Sequence, residues 1–190
     1  MHVRTLRYEG FKRDDGAYEI EARIVDVKDD DYLLASGLRR GGDPVHDMSV
    51  RITYTPDYTI TAVEACSDWV PYFGGCDTIG PAYGRLVGVS LMQGFRNALR
   101  ERLGGIEGCT HISELLSGLP TVAVQIRAGE VRENEDVNGN RPFQLDRCHA
   151  LATTAETVRT YYPRWYRDGQ SPADAAAAHE HRTSEKAGTD

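Results

Sequence analysis

Over residues 17–28, Tyr18, Ile20, Ala22 and Ile24 fall on one side of an extended chain, with Glu19, Glu21 and Arg23 on the other. A period of two with one polar side predicts a half-buried strand. The alternation returns from Val45 to about Tyr54, where His46, Met48, Val50, Ile52 and Tyr54 share a face opposite Asp47, Ser49, Arg51 and Thr53. Pro56-Asp57 marks a hairpin turn, and a third strand runs from Thr59 to about Ser67. So short a connection makes it antiparallel to the second. Asp14-Asp15-Gly16 is a turn ahead of the first strand. The runs Asp29-Asp30-Asp31 and Arg39-Arg40-Gly41-Gly42-Asp43-Pro44 bracket a loop with a short apolar piece inside it.

The period then changes. Trp69 to Pro81 is a loop rich in glycine, proline and aromatic residues, and it carries Cys76. A short helical piece is predicted over Ala82 to Val87, then a firmer helix over Leu91 to Leu103 with Phe95, Ala98, Leu99 and Leu103 on one stripe. Gly104-Gly105 ends it. Ile112, Leu115, Leu116 and Leu119 recur at helical spacing, with Thr110 placed to cap the helix they form. Gly118 and Pro120 break or kink this helix ahead of Thr121 to Ala128. Glu130 to Arg141 is polar, with a turn at Asn138-Gly139-Asn140, and apolar character returns over Phe143 to Ala155. Tyr161-Tyr162-Pro163-Arg164-Trp165 closes the fold with an aromatic patch. Strands succeeded by helices indicate an α+β domain, an antiparallel sheet from the N-terminal half packed against helices from the second half. We expect a single globular domain over residues 1–167 and a mobile polar tail over 168–190.

Composition adds exclusions. With 40% apolar and 27% charged residues in 190, the chain is globular. A net charge of −7 without a basic run leaves no electrostatic footprint for nucleic acid. No apolar run is long enough to span a bilayer, and Met1 to Tyr8 lacks the apolar core of a signal peptide. A cytoplasmic protein is therefore expected, with neither nucleic acid nor membrane as partner. Its four cysteines, Cys66, Cys76, Cys109 and Cys148, are then expected as thiols or metal ligands.

The chemistry concentrates around Gly108-Cys109-Thr110-His111, where a glycine-punctuated loop delivers a thiol and an imidazole to a helix N-terminus. The dipole and free N–H groups there favour a thiolate or another anion. Positions two apart on a helix diverge by roughly 200°, so Cys109 meets His111 only if it lies outside the helix and bends back. His46 stands on the apolar face of its strand, as a core histidine or as a ligand or base. Its neighbour Asp47 points to the opposite face and shares a site with His46 only at a strand end. Cys148-His149 repeats the thiol–imidazole association. Three such spots suit a zinc or iron ion supplied from separate segments, with His46, Cys109 and His111 as ligands. Cys148, His149 or Asp47 would complete or orient the shell as catalytic groups. No C-x-x-C pair is present, so a zinc ribbon is excluded. Cys66 reads as a small buried hydrophobe. Asp26, Lys28, Arg13 and Asp14 read as surface charges, and His2, His179 and His181 are discounted as terminal.

Several motifs together resemble an uncharacterised bacterial family, domain of unknown function 2889. They are Arg13-Asp14-Asp15-Gly16, Asp26-Val27-Lys28, Pro44-Val45-His46-Asp47-Met48, Arg100-Glu101-Arg102-Leu103-Gly104-Gly105 and Gly108-Cys109-Thr110-His111-Ile112-Ser113-Glu114-Leu115. Cys148-His149-Ala150-Leu151 and Tyr162-Pro163-Arg164-Trp165 fit the same pattern, so the likeness covers about residues 4–166. It implies a grouping and no activity. A second, weaker likeness is to iron–sulfur scaffold proteins of the NifU/IscU type. Pro44-Val45-His46-Asp47, Gly75-Cys76 and Cys109-Thr110-His111 occupy an analogous order, although His46 stands where that family has cysteine.

The expectation is a metal-dependent enzyme of hydrolase, lyase or hydratase type acting on a small organic molecule. Ten tyrosines and Trp69 could line a pocket friendly to aromatic compounds. The alternatives are a metal or sulfur-handling binding protein without turnover, a metal-free enzyme that uses Cys109 with a histidine, and a structural module.

Overall fold

A computed structural model describes residues 1–128, 130 and 141–168. The expected turn at Asn138-Gly139-Asn140 and the tail beyond residue 168 lie outside the described residues. The chain divides into two compact units, Met1–Glu130 and Val131–Asp190.

The first unit is an antiparallel sheet with helices on one face, the α+β arrangement that strands succeeded by helices imply. Its four long strands are β1 (His2–Lys12), β2 (Tyr18–Lys28), β5 (Pro44–Tyr54) and β6 (Ile60–Trp69), in the order β1-β2-β5-β6. Two short strands, β3 (Tyr32–Leu34) and β4 (Gly37–Arg39), form a separate hairpin from the apolar piece in the loop after β2. On β2 the residues Tyr18, Ile20, Ala22 and Ile24 are buried, and on β5 Met48, Val50, Ile52 and Tyr54 are, as the alternation predicts. The opposite face carries ion pairs, Arg23 with Asp47 and Arg51 with Glu21 and Glu64. Alternation therefore separates an oily face from a charged one.

Helices α1 (Phe95–Leu103), α2 (Thr110–Ser117) and α3 (Leu119–Ala128) bring Phe95, Leu99, Leu103, Ile112, Leu115, Leu116, Leu119 and Ala123 into the same core. The first of them begins at Phe95 and not at Leu91, because Gly94 takes a left-handed φ of 67° that breaks any helix running into it. Pro120 occupies the second position of α3, where no intrahelical N–H is needed, so the chain turns at Gly118 and restarts. Ala82 to Val87, read as helical, lies within a 3-10 segment over Gly80–Leu86.

Cys66 corrects the reading that buried it. Tyr54 pairs with Ile60 but Thr53 pairs with Ala62, so one extra residue sits in β6 at Thr61. This bulge flips the parity of the rest of the strand. Val63, Ala65 and Ser67 turn toward the core side, while Cys66 is exposed beside Ser49 with its thiol donating to Asp68. No helix among the described residues is long and apolar enough to cross a membrane.

In the second unit, described over 141–168, Leu145 and Val158 are buried. The Asp146 carboxylate accepts from the Thr153 N–H at 2.7 Å and from its hydroxyl at 3.1 Å. A short helix, α4, spans Glu156–Tyr161.

Candidate functional site

Three side chains from neighbouring strands meet at one end of the inner sheet face. In register, Arg4 of β1 lies opposite Asp26 of β2, and Asp26 lies opposite His46 of β5. A register shift directly after Asp26 ends the regular pairing there. Asp26 continues the parity of Tyr18, Ile20, Ala22 and Ile24, and it is 1% exposed. A carboxylate so buried needs partners. Arg4 supplies two, with Nε 2.7 Å from Oδ1 and Nη2 2.7 Å from Oδ2, and its remaining Nη1 reaches Glu114 at 2.5 Å. The Nδ1 of His46 lies 3.0 Å from Oδ2, and His2 Nε2 lies 3.4 Å from Oδ1. The reading of Asp26 as a surface charge and of His2 as irrelevant is therefore replaced by a buried carboxylate at the hub of an ionic group.

Helix α2 closes the group from above. Cys109 is its N-cap, with an extended φ of −100° and ψ of 131°, and Thr110, expected as the cap, is the first helical residue. Because Cys109 stands outside the helical screw, its Sγ bends back to 3.8 Å from Nδ1 of His111. The other ring nitrogen of His111, Nε2, is 3.8 Å from Asp26 Oδ2. The His111 ring packs on that of His46 with centroids 3.7 Å apart. One ligand atom each from Asp26, His46 and His111 lie within 4.8 Å of one another.

Cys109 is held in place by a buried tyrosine. Its N–H donates to the Tyr83 hydroxyl at 2.9 Å, and that hydroxyl donates to the Cys109 carbonyl at 3.1 Å. The approach also requires glycine at 108, since a Cβ there would lie 2.3 Å from the Leu103 carbonyl oxygen. Backbone cannot yield as a flexible side chain does. Gly108→Ala is expected to lower unfolding stability by about 2 kcal/mol, read from chemical denaturation; an unchanged midpoint would show that the loop relaxes freely.

The electrostatics set protonation states. Burial pushes the Asp26 carboxyl up, but Arg4 and then His46 outweigh it and hold its pKa below the usual 3.8. Burial lowers His46 below its ordinary 6.5, and Asp26, acting the other way, does not restore it. For Cys109, burial favours the neutral thiol, yet His111 and the nearby N–H groups of Ile112 and His111 prevail and lower its pKa. For stability the signs agree. Both His46 and Asp26 have folded pKa values below their unfolded ones, so the unfolded chain binds more protons as pH falls. The metal-free protein is expected to lose stability as pH drops below 6.5 through the lower His46 value, and again below 3.8 as Asp26 protonates. Thermal midpoints should fall over the first window in the native sequence and fall less in His46→Gln; equal slopes would contradict this.

Of the six residues singled out by sequence, the structure brings His46, Cys109 and His111 together. Cys109 adjoins His111 and the ligand-type group is completed instead by Asp26. Asp47 is a correction: strand alternation turns it to the opposite face, where both its oxygens lie 2.6 Å from Arg23. Cys148 and His149 belong to the second unit, both exposed, at the start of a 3-10 turn over His149–Leu151. All four cysteines are free. Cys76 lines the same cleft as His46, Cys109 and His111, a space of about 780 Å³ in the first unit, walled also by Tyr32, Tyr72 and Ile106. Clefts of that size accept small organic molecules.

No curated protein and no solved structure matches the chain, and the likeness to NifU/IscU-type scaffolds is not shown. A match over residues 2–125 takes in the whole of this site and leaves out the second unit. The chain belongs to the family described as protein of unknown function (DUF2889).

Proposed function

We propose that the protein is a metal-dependent enzyme acting on a small organic molecule, with Asp26, His46 and His111 as ligands of one divalent ion. The observation that carries this reading is the spacing of the Asp26 carboxylate from each of the two imidazoles, whose own ligand atoms lie within 4.8 Å of each other. Asp26 Oδ2 is 3.0 Å from His46 Nδ1 and 3.8 Å from His111 Nε2. Two ligands on one zinc or iron ion, each about 2.1 Å from it at angles of about 90–130°, are separated by about 3.0–3.8 Å. Two nitrogens and one carboxylate suit zinc or iron and leave positions for substrate.

The protonation states favour the same reading. Depressed basicity keeps His46 neutral at pH 7, as a ligand must be. With Cys109 as a thiolate, its sulfur accepts from the Nδ1–H of His111, and that tautomer leaves on Nε2 the lone pair that a metal ion needs. On this reading Cys109 is a positioning residue behind His111 and not a ligand. A bound ion supplies Lewis acidity toward a carbonyl or a water, which serves hydrolase, lyase or hydratase chemistry alike. The protein's own part is to hold a small molecule in the cleft above the group.

One observation favours a second reading. Cys109, His111 and Asp26 lie in the order nucleophile, base and orienting carboxylate, with a thiol of lowered pKa. Calorimetric titration of chelator-treated protein with Zn²⁺ and Mn²⁺ separates the two. One ion bound per chain, with Cys109→Ser retaining it, supports the metal reading. No binding, together with rapid alkylation of Cys109 by iodoacetamide at pH 7, supports the thiol reading and overturns the first.

A further inference from the structure

We propose that the cleft takes a small aromatic carboxylate, its carboxylate ion-paired with Lys28 and its ring lying between Tyr32 and Tyr72. The direction of binding rests on the metal-site reading, since it points the far end of the molecule at Asp26, His46 and His111.

Charge is the first observation. Although the chain carries −7 overall, the cleft is lined by two permanent cations, Arg4 and Lys28, and by one carboxylate, Asp26. Arg4 is fully engaged, by Asp26 through two nitrogens and by Glu114 through the third. Lys28 is not. Among the described residues it forms no ion pair, and its Nζ rests 4.6 Å from the centroid of the Tyr32 ring. An aromatic face holds an ammonium in place without neutralising it. The cleft therefore presents one uncommitted positive charge on a half-buried stem, set against a wall of apolar surface. That combination binds an anion with an apolar body and discriminates against the neutral analogue.

Length is the second observation. Lys28 stands two positions after Asp26 on β2, about 7 Å along an extended strand. Both residues line the one cleft, and this backbone spacing sets a scale that a benzene ring bearing a carboxylate matches. With the carboxylate on Lys28, the opposite edge of the ring, or a substituent on it, reaches the ionic group. Tyr32 stands on the short hairpin at the cleft and Tyr72 on the loop after β6, so two aromatic rings from separate segments flank the path.

The test uses chelator-treated full-length protein, so that a carboxylate binding to a metal ion cannot contribute and the outcome does not depend on the metal reading, which ion titration tests separately. Phenylacetate and its neutral counterpart 2-phenylethanol are titrated by NMR. Phenylacetate is expected to bind at least about tenfold more tightly, the scale of a hydrogen-bonded charge pair. Lys28→Met is expected to abolish that preference and Lys28→Arg to keep it, while Tyr72→Ala weakens both compounds. Because Lys28 is half-exposed, both Lys28 variants should keep the native thermal midpoint. Equal affinity for the two compounds, a preference that survives Lys28→Met, or no binding of either would overturn the proposal.

Discussion

Replacing His46 with alanine is expected to weaken binding of a divalent ion by at least about 100-fold, more than loss of an outer partner costs. The imidazole contributes one of three donors, and the two that remain are held by different elements, Asp26 by β2 and His111 by the first turn of α2. Neither can shift to compensate, because Asp26 is clamped by Arg4 and the His111 ring is positioned by Cys109. The fold should survive, since His46 lies at the rim of a core built by Ile24, Met48, Ile112 and Leu115. Calorimetric titration checks the affinity and circular dichroism the fold. His111→Ala should behave alike. Cys109→Ser should lose no more than about 10–100-fold, as befits a partner that orients a ligand. If Cys109→Ser lost more than His46→Ala, the thiol would be a ligand after all.

The second large effect is on stability. Arg4→Ala is expected to destabilise the metal-free protein by about 3 kcal/mol, because it strands a carboxylate that the fold removes from water. Asp26 keeps His46 and His2 as weaker partners, which holds the loss toward the low end of what breaking a buried pair costs. The paired change Arg4→Met with Asp26→Leu should cost less than Arg4→Ala alone, since it removes both charges together. Added Zn²⁺ should restore part of the stability of Arg4→Ala, because an ion bound by the native state alone stabilises it by mass action. Urea denaturation with and without Zn²⁺ measures all three. A neutral Arg4→Ala would mean that Asp26 is satisfied without its guanidinium.

Strand alternation made half of this site legible. Parity alone puts His46 on the face of Met48, Val50, Ile52 and Tyr54, and the same parity, carried two residues past Ile24, puts Asp26 on the buried face of β2. The signal was there, and the residue type argued against it, since a lone carboxylate is seldom buried without partners. Its partners could not be found locally. Arg4 sits on an edge strand whose Val3, Leu6 and Phe11 are all substantially exposed, so β1 shows no clean alternation to announce it. The pairing of Asp26 with His46 depends on a register that a loop and a hairpin set between β2 and β5. Cys109 and His111 were legible as a pair from the glycine–helix boundary. Their contact was not, because it turns on Cys109 being extended at the N-cap, which Tyr83, 26 residues away, enforces. Cys66 failed for the converse reason, as one bulged residue at Thr61 inverts a parity that sequence can only extrapolate.

The most direct test of a metal centre built by Asp26, His46 and His111 is anomalous diffraction from crystals of the protein loaded with Zn²⁺ and measured on both sides of the zinc absorption edge. One peak per chain is expected, about 2.0–2.2 Å from a ring nitrogen of His46, a ring nitrogen of His111 and a carboxylate oxygen of Asp26. Cys109 Sγ should lie beyond the zinc–sulfur bonding distance of about 2.3 Å. A peak bonded to Cys109 without Asp26, or no peak among these residues while zinc is bound elsewhere on the chain, would contradict it.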